Sequence, residues 1–144
     1  PRMLDMGVEP FLLASSIKAV IGQRLIRKFS QGATQPAALT PEVLAEVKSE
    51  LDQGKAPEVV EAAGKQLQFL APKGDGAYHG RLGIYEVLTI SESISQLTLK
   101  KAAASAIAEA ALAEGMVTMR QDGIVKAANG LTSLDEVLQA TAEK

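Results

Sequence analysis

The 144-residue chain suits one compact domain with at most a small subdomain, and its 47% hydrophobic residues are enough to build a core. The absence of cysteine and the presence of a single histidine exclude disulfides, thiolate metal sites and multi-histidine sites. A net charge of −2 gives no general attraction to nucleic acid or acidic membranes, and no apolar run approaches the ~20 residues that cross a bilayer.

The first half of the chain is predicted to combine helices with strands. A proline in the first turn costs a helix nothing, which marks helix starts at Glu9-Pro10 and Thr40-Pro41. Loose alternation with β-branched residues over 20–27 favours a strand. The predicted elements are a helix from Glu9, a strand over 20–27, a loop over 30–36, a helix from Thr40 to Gly54 and a short helix from Pro57 to about Lys65.

The second half is predicted to hold two strands and then only helices. Alternation over 66–70 and a β-branched, aromatic run over 81–90 predict the strands, with a turn at 73–76 between them. Hydroxyl residues begin and glycines end several of the helices that follow. These helices start at Ser91 or Ser93, run from Ala103 to Gly115 and from Thr118 to Gly130, and end with one capped by Thr132, with Asp135 at the capping-box position. The sequence therefore predicts an α+β fold that is mostly helical.

No complete catalytic site is found in the sequence. A phosphate-binding loop needs a glycine five residues before a Gly-Lys-[Ser/Thr] run, so that backbone amides can surround the phosphates. Gly54-Lys55 is followed by alanine and has Ser49 in place of the leading glycine, and Gly64-Lys65 is followed by glutamine. No nucleophile elbow, dinucleotide fingerprint or metal-ligand spacing occurs either. We therefore expect no catalytic residue and no metal ligand in these residues.

Two single residues, His79 and Asp122, could have a functional role, but an ordinary structural role explains each of them more simply. His79, the only histidine, stands beside a glycine, where an exposed turn residue is the simplest interpretation. Asp122 on a predicted helix could be catalytic, but a lone carboxylate there is more often a surface or capping group.

Arginines are the better candidates for a ligand contact. Arg81 follows Gly80 and opens a strand, and its planar guanidinium suits a pair of phosphate oxygens. Arg24, Arg27 and Lys28 form a small basic cluster at a strand end, which fits a solvated rim as well as a phosphate contact.

Four sequence blocks share their order with a known protein family. The blocks are Arg2-Met3-Leu4-Asp5-Met6-Gly7-Val8-Glu9-Pro10-Phe11-Leu12-Leu13-Ala14-Ser15-Ser16, Val20-Ile21-Gly22-Gln23-Arg24-Leu25, Tyr78-His79-Gly80-Arg81-Leu82-Gly83-Ile84-Tyr85-Glu86, and a tail with Gly115-Met116, Arg120-Gln121-Asp122-Gly123 and Leu131-Thr132-Ser133-Leu134-Asp135-Glu136-Val137. Together they resemble the ATPases that drive type II secretion and type IV pilus assembly. The first block resembles the segment after that family's Walker B and histidine-box region, and the second resembles its Gln-Arg-Leu strand.

The resemblance implies the terminal part of a RecA-like α/β ATPase domain with a C-terminal helical subdomain. Residues 1–29 would end the core as a helix and a strand, residues 30–77 would form an insert, residues 78–90 a core strand, and residues 91–144 the helical subdomain. Relatives hold a structural zinc in the insert on two Cys-x-x-Cys pairs, but this insert has no cysteine. We therefore expect a helical insert held by apolar packing, and no zinc.

The resemblance also implies a role for two arginines and a set of partners. The family arginine at the position of Arg81 approaches the nucleotide, and Arg24 is a weaker candidate for the nucleotide side or a subunit contact. The full-length protein would bind ATP and Mg²⁺ as a homo-hexamer in the cytoplasm. It would sit peripheral to the inner membrane through a platform protein and would not bind nucleic acid.

The family's P-loop lysine, Walker B acid and catalytic glutamate have no counterparts in these residues. Because the chain also begins with Pro1 rather than methionine, we expect a fragment of the full-length ATPase that is inactive by itself. Two alternatives stay open. One is a non-catalytic interaction module with the same fold, and the other is a helix-turn-helix DNA binder that uses the two helices over 103–129.

Overall fold

Two long strands, paired with each other, organise the helices of this chain. The structure is a computed structural model and describes residues 2–142. The elements are α1 (Arg2–Asp5), α2 (Pro10–Ser16), β1 (Ala19–Phe29), β2 (Thr34–Pro36), α3 (Pro41–Leu51), α4 (Pro57–Gly64), β3 (Leu70–Pro72), β4 (Tyr78–Thr89), α5 (Glu92–Leu99), α6 (Ala104–Ala113), α7 (Met119–Ala128) and α8 (Leu134–Thr141). The predicted fold class, α+β and mostly helical, is confirmed.

The main sheet is an antiparallel pair of β1 and β4, and a second small sheet pairs β2 with β3. In the main pair Ile26 lies opposite Leu82 and Arg24 opposite Ile84, so these residues share one face. Helices α7 and α8 pack against this sheet, and both Ile26 and Ile84 are buried. Helices α7 and α8 therefore cover one face of this strand pair.

The insert between the two long strands is held by apolar packing. Thr40 caps α3 by accepting a hydrogen bond from the Val43 amide, as the sequence predicted. Val47 and Leu51 of α3 and Val59 of α4 are almost fully buried in the same core as the helices of the tail. Burial of aliphatic side chains stabilises the fold by about 1.5–3 kcal/mol for each side chain.

The strand predicted over 66–70 is instead the three-residue β3, and the loop predicted over 30–36 contains its partner β2. The alternation in the sequence reports burial, because Leu67 is half-buried and Phe69 is buried. A strand also needs a partner for its backbone groups, and β2 offers only three residues. The partner thus sets the length of the strand.

The predicted cap of the last helix is wrong by one residue. Ser133, not Thr132, accepts a hydrogen bond from the backbone amide of Glu136. Thr132 is fully buried and donates its hydroxyl to the carbonyl of Arg27 at 2.7 Å. Asp135 consequently does not occupy the capping-box position.

The other face of the main sheet carries exposed apolar side chains. Ile21 is 65% exposed and Leu25 54%, and across the pair Val87 is 45% exposed and Tyr85 41%. Within the described residues no third strand pairs with the first part of β1. Contiguous apolar surface of this kind is typical of an interaction site. No helix among residues 2–142 is long and apolar enough to cross a membrane.

Candidate functional site

Arg81 follows an irregularity in β4. Arg81 pairs with Arg27 of β1, and Tyr78 pairs with Phe29. Two residues of β4 lie between these pairs but only one residue of β1, so β4 contains a β-bulge here. Gly80 has a φ of +75° there, although nothing lies within 4 Å of where a Cβ would stand. Glycine is therefore needed for the backbone conformation rather than for space. Since a bulge re-aims the side chain beside it, the Gly-Arg pair sets the direction of Arg81.

Arg81 is exposed, and no ion pair joins it to another residue of the described range 2–142. Directly across the sheet lies Arg27, so two guanidinium side chains leave the same face side by side. Like charges in this position repel each other. Arg27 is neutralised, because its Nη2 lies 2.6 Å from the Glu136 carboxylate.

Glu136 is bound to Arg27 through both the side chain and the backbone. One carboxylate oxygen pairs with the guanidinium, and the other accepts the Arg27 backbone N–H at 3.1 Å. The hydrogen bond to Arg27, opposed in part by burial, holds the pKa of Glu136 below its ordinary value. The same hydrogen bond raises the pKa of Arg27 above its ordinary value.

An aromatic pair supports the Arg27 side chain. Tyr78 stacks on Phe29 with ring centroids 5.1 Å apart, and the Arg27 guanidinium lies 4.2 Å from the centre of the Tyr78 ring. The Tyr78 hydroxyl lies 2.8 Å from the hydroxyl of Ser133, the cap of α8. The first residue of β4 is thereby joined to the N-terminus of α8.

A cavity of about 280 Å³ lies beside this ion pair. Its lining includes Arg27, Arg81 and Glu136, with Gln139 of α8 at its rim. Two cations against one anion leave the cavity with a positive balance, which suits an anionic group of modest size.

The second predicted arginine, Arg24, is not part of this cavity. It projects from the other face of the sheet and donates a hydrogen bond to the carbonyl of Ala140 in the last turn of α8. A cation near a helix C-terminus is stabilising because of the helix dipole. The structure therefore assigns Arg24 a structural contact, and Lys28 and His79 are exposed side chains near the bulge.

A larger cavity of about 540 Å³ lies beside the far half of β4. Three carboxylates, those of Glu58, Glu114 and Asp122, contribute to its lining. Because like charges repel, a phosphate group would be disfavoured there. Of these two cavities, the one beside Arg81 is therefore better suited to an anion.

Asp122 closes the outer edge of β4. Its carboxylate accepts the backbone N–H of Tyr85 at 2.8 Å, and Lys126, one turn later on α7, donates to the carbonyl of Gly83 at 2.9 Å. Asp122 and Lys126 are also paired with each other at 2.5 Å. These side chains take the place of a further strand. Asp122 therefore has a structural contact, but it binds a strand and does not cap its own helix, where Thr118 is the cap.

The neighbours of Asp122 in the Arg-Gln-Asp-Gly block have structural contacts of their own. Gln121 is fully buried and donates its amide N–H groups to the carbonyls of Glu50 and Gln53 at the end of α3, at 2.8 and 2.9 Å. Arg120 pairs with Glu46 of α3. The block therefore joins the insert, the sheet edge and the tail.

Helix α7 is too enclosed to read DNA. Gln121, Gly123, Ile124 and Ala127 are all buried, and α7 packs against α3, α4, α8 and β4. A recognition helix has to enter a groove with an exposed face. The structure thus argues against the helix-turn-helix hypothesis.

Sequence reasoning missed Glu136 and the edge-closing role of Lys126. The Ser133-x-x-Glu136 spacing is a capping-box signal that was available in the sequence. Nothing local indicates that the Glu136 carboxylate would turn to Arg27, which is 109 positions away.

Comparisons with known proteins agree on one family. A family model described as "Type II/IV secretion system protein" matches residues 1–139. The chain is 35% identical to the type IV pilus assembly ATPase PilB of Acinetobacter baylyi, over 99% of this chain and 24% of that protein. It is 31% identical to PilB of Myxococcus xanthus, over 98% and 24%, and 35% identical to the type II secretion system protein E of Aeromonas hydrophila, over 99% and 27%. The chain thus spans about a quarter of the length of these curated relatives.

Proposed function

Since the chain belongs to the family of type II/IV secretion system proteins, we propose that it is the C-terminal portion of a hexameric ATPase that powers type IV pilus assembly or type II secretion. The relatives are named as pilus assembly ATPases and as a type II secretion system protein, which supports the proposed activity. The chain matches about a quarter of their length, which supports the proposal that it is one portion of such a protein. The phosphate-binding loop and the Mg²⁺ ligands of the intact ATPase lie outside these residues. The ATPase acts in the cytoplasm and engages a platform protein of the inner membrane.

The exposed apolar face of the main sheet is the observation that carries this proposal. Ile21, Leu25, Tyr85 and Val87 present a surface that is costly to leave in water. Part of the β4 edge is closed by α7, and the last part of the β1 edge is bound by residues 131–136. Among the described residues no strand pairs with the first part of β1. Strands of a RecA-like sheet from the rest of the ATPase would pair there, and helices that pack on that sheet would cover the face.

Within that enzyme we assign Arg81 to the nucleotide side. Its exposure, its lack of an ion-pair partner among residues 2–142 and the glycine that directs it all support a contact made outside this chain. Arg24 is the weaker candidate, because its guanidinium is already bound to α8. We expect no zinc requirement, since the insert is held by buried aliphatic side chains.

A chimera tests the proposal. The matched quarter of the Acinetobacter baylyi PilB is replaced by this chain, and ATP hydrolysis is measured with and without Arg81→Ala. We expect the chimera to hydrolyse ATP, Arg81→Ala to lower the rate at least about tenfold, and the control Lys28→Ala, which removes a nearby charge, to stay within about twofold. The chain alone should not hydrolyse ATP. An active Arg81→Ala chimera would contradict the assigned role.

A non-catalytic interaction module is the second candidate. The exposed apolar face of the main sheet also fits this function, because such a surface is typical of an interaction site. Reading the gene upstream of Pro1 separates the two: a Gly-x-x-x-x-Gly-Lys-[Ser/Thr] run supports the motor.

A further inference from the structure

A second arginine, Arg27, lines the cavity beside Arg81, and its charge is paired with the carboxylate of Glu136. Arg27 and Arg81 stand opposite each other on paired strands, where Cβ atoms are about 5 Å apart. One phosphate group can therefore contact both guanidinium groups. In the structure only Arg27 is neutralised, by Glu136.

The side chains of Arg27 and Glu136 differ in how exposed they are and in how many contacts hold them. The Glu136 side chain is 12% exposed and is fixed by the Arg27 backbone N–H as well as by the guanidinium. The Arg27 side chain is 61% exposed. The guanidinium can leave the carboxylate while it keeps its contact with the Tyr78 ring, 4.2 Å away, and the carboxylate then keeps one hydrogen-bond donor. Arg27 is therefore the more movable partner.

We propose that this cavity binds the phosphate groups of a nucleoside triphosphate between Arg81 and Arg27, and that Glu136 restrains Arg27 by competing with the phosphate. The proposal rests on the nucleotide-facing role of Arg81 and adds a second arginine and its restraint. A phosphate oxygen pair matches the planar fork of each arginine, and a phosphate carries more charge than the carboxylate it displaces. The Glu136 carboxylate thereby lowers the affinity of the cavity for anions that carry less charge than a phosphate.

Titration calorimetry of the 144-residue chain with sodium tripolyphosphate at low salt tests the competition. Removing the charge of Glu136 by Glu136→Gln, which keeps an acceptor for the Arg27 N–H, should tighten binding about fivefold. Arg27→Ala and Arg81→Ala should each weaken it about tenfold, because each removes a charge-assisted pair of hydrogen bonds. In the Arg27→Ala background the gain from Glu136→Gln should be clearly smaller, because only the direct repulsion between the carboxylate and the phosphate is then removed.

Two control variants match these charge changes away from the cavity. Glu46→Gln removes a carboxylate that pairs with Arg120 on α3, and Lys28→Ala removes an exposed cation of β1. Both should leave the affinity within about twofold of the original, since exposed charges further away are screened. Circular dichroism confirms that every variant is folded.

The outcomes separate this proposal from the proposed function. The competition is overturned by unchanged affinity in Glu136→Gln, by a gain that is just as large without Arg27, or by no tripolyphosphate binding by the original chain, whatever the chimera does. Equal affinity for ATP and tripolyphosphate supports it, because the cavity then recognises phosphates. Binding of ATP without tripolyphosphate would refute it.

Discussion

Gly123 is expected to set the distance between α7 and α8. A Cβ added there would lie 2.5 Å from Val137 Cγ1 and 3.2 Å from Val137 Cγ2, and Val137 is fully buried. The valine is β-branched and has few rotamers, so it cannot turn aside. The two helices would have to move apart. Overpacking of this kind costs about 3 kcal/mol at the upper end, and the better helix propensity of alanine returns about 1, so Gly123→Ala should lower the free energy of unfolding by about 2 kcal/mol.

Urea unfolding followed by circular dichroism measures this change. We expect a lower midpoint with an unchanged slope, and a melting temperature lower by roughly 6 °C in a chain of this size. Gly64→Ala is the matched control, because Gly64 is the last residue of α4 and nothing lies within 4 Å of its added Cβ. That variant should change the free energy of unfolding by less than about 0.5 kcal/mol.

A double-mutant cycle tests the reason for the effect. Val137→Ala removes the methyl groups that the new Cβ would meet, and by itself should cost about 2 kcal/mol through the space it leaves. In that background Gly123→Ala should cost almost nothing, since its methyl group enters the vacated space. An equal cost of Gly123→Ala with and without Val137 would refute the reasoning.

Three further predictions follow from the contacts of α7 and α8. Gln121→Leu should lower the free energy of unfolding in urea by about 2–3 kcal/mol, because two carbonyls at the end of α3 lose their donor; a loss under about 1 would contradict this. Asp122→Ala should speed hydrogen exchange of the Tyr85 amide at least about tenfold, with the amides of the β1–β4 ladder as internal control; equal protection would show that the edge contact is dispensable. Because Arg27 lowers the pKa of Glu136, that pair stabilises the fold above the ordinary carboxyl pKa. The advantage of the original chain over Glu136→Gln in thermal melts should fade as the pH falls below the ordinary glutamate value of 4.5, and an advantage that persists at low pH would argue against the ion pair.

Local rules were enough for much of the fold. The proline at the first position of α3 and the hydroxyl of Thr40 fixed the start of that helix, because these residues act through groups a few positions away. Its end was predicted less well: α3 ends at Leu51, three residues before Gly54. Thr132 and Ser133 show where such rules stop. Both are hydroxyl residues before the same helix, and only the carbonyl of Arg27, supplied by a strand far back in the sequence, decides which of them caps.

The candidate site was only partly open to prediction. A strand at Arg81 could be predicted, since it depends on local strand propensity, although β4 begins at Tyr78, three residues before Arg81. Its environment could not be predicted. Arg27 lies beside it because of the register of two strands separated by the insert, and Glu136 joins them because α8 returns to β1. Contacts between distant segments leave no local pattern.

The closing of the β4 edge by Asp122 and Lys126 has a consequence for synthesis of the protein on the ribosome. These side chains belong to α7, which is made roughly 30 residues after β4, so at about 5–20 residues per second the edge stays uncovered for a few seconds. During this interval the nascent hairpin presents two free edges and an apolar face, the features that favour pairing with other chains. Translation speed across residues 90–118 should therefore govern the yield of soluble protein.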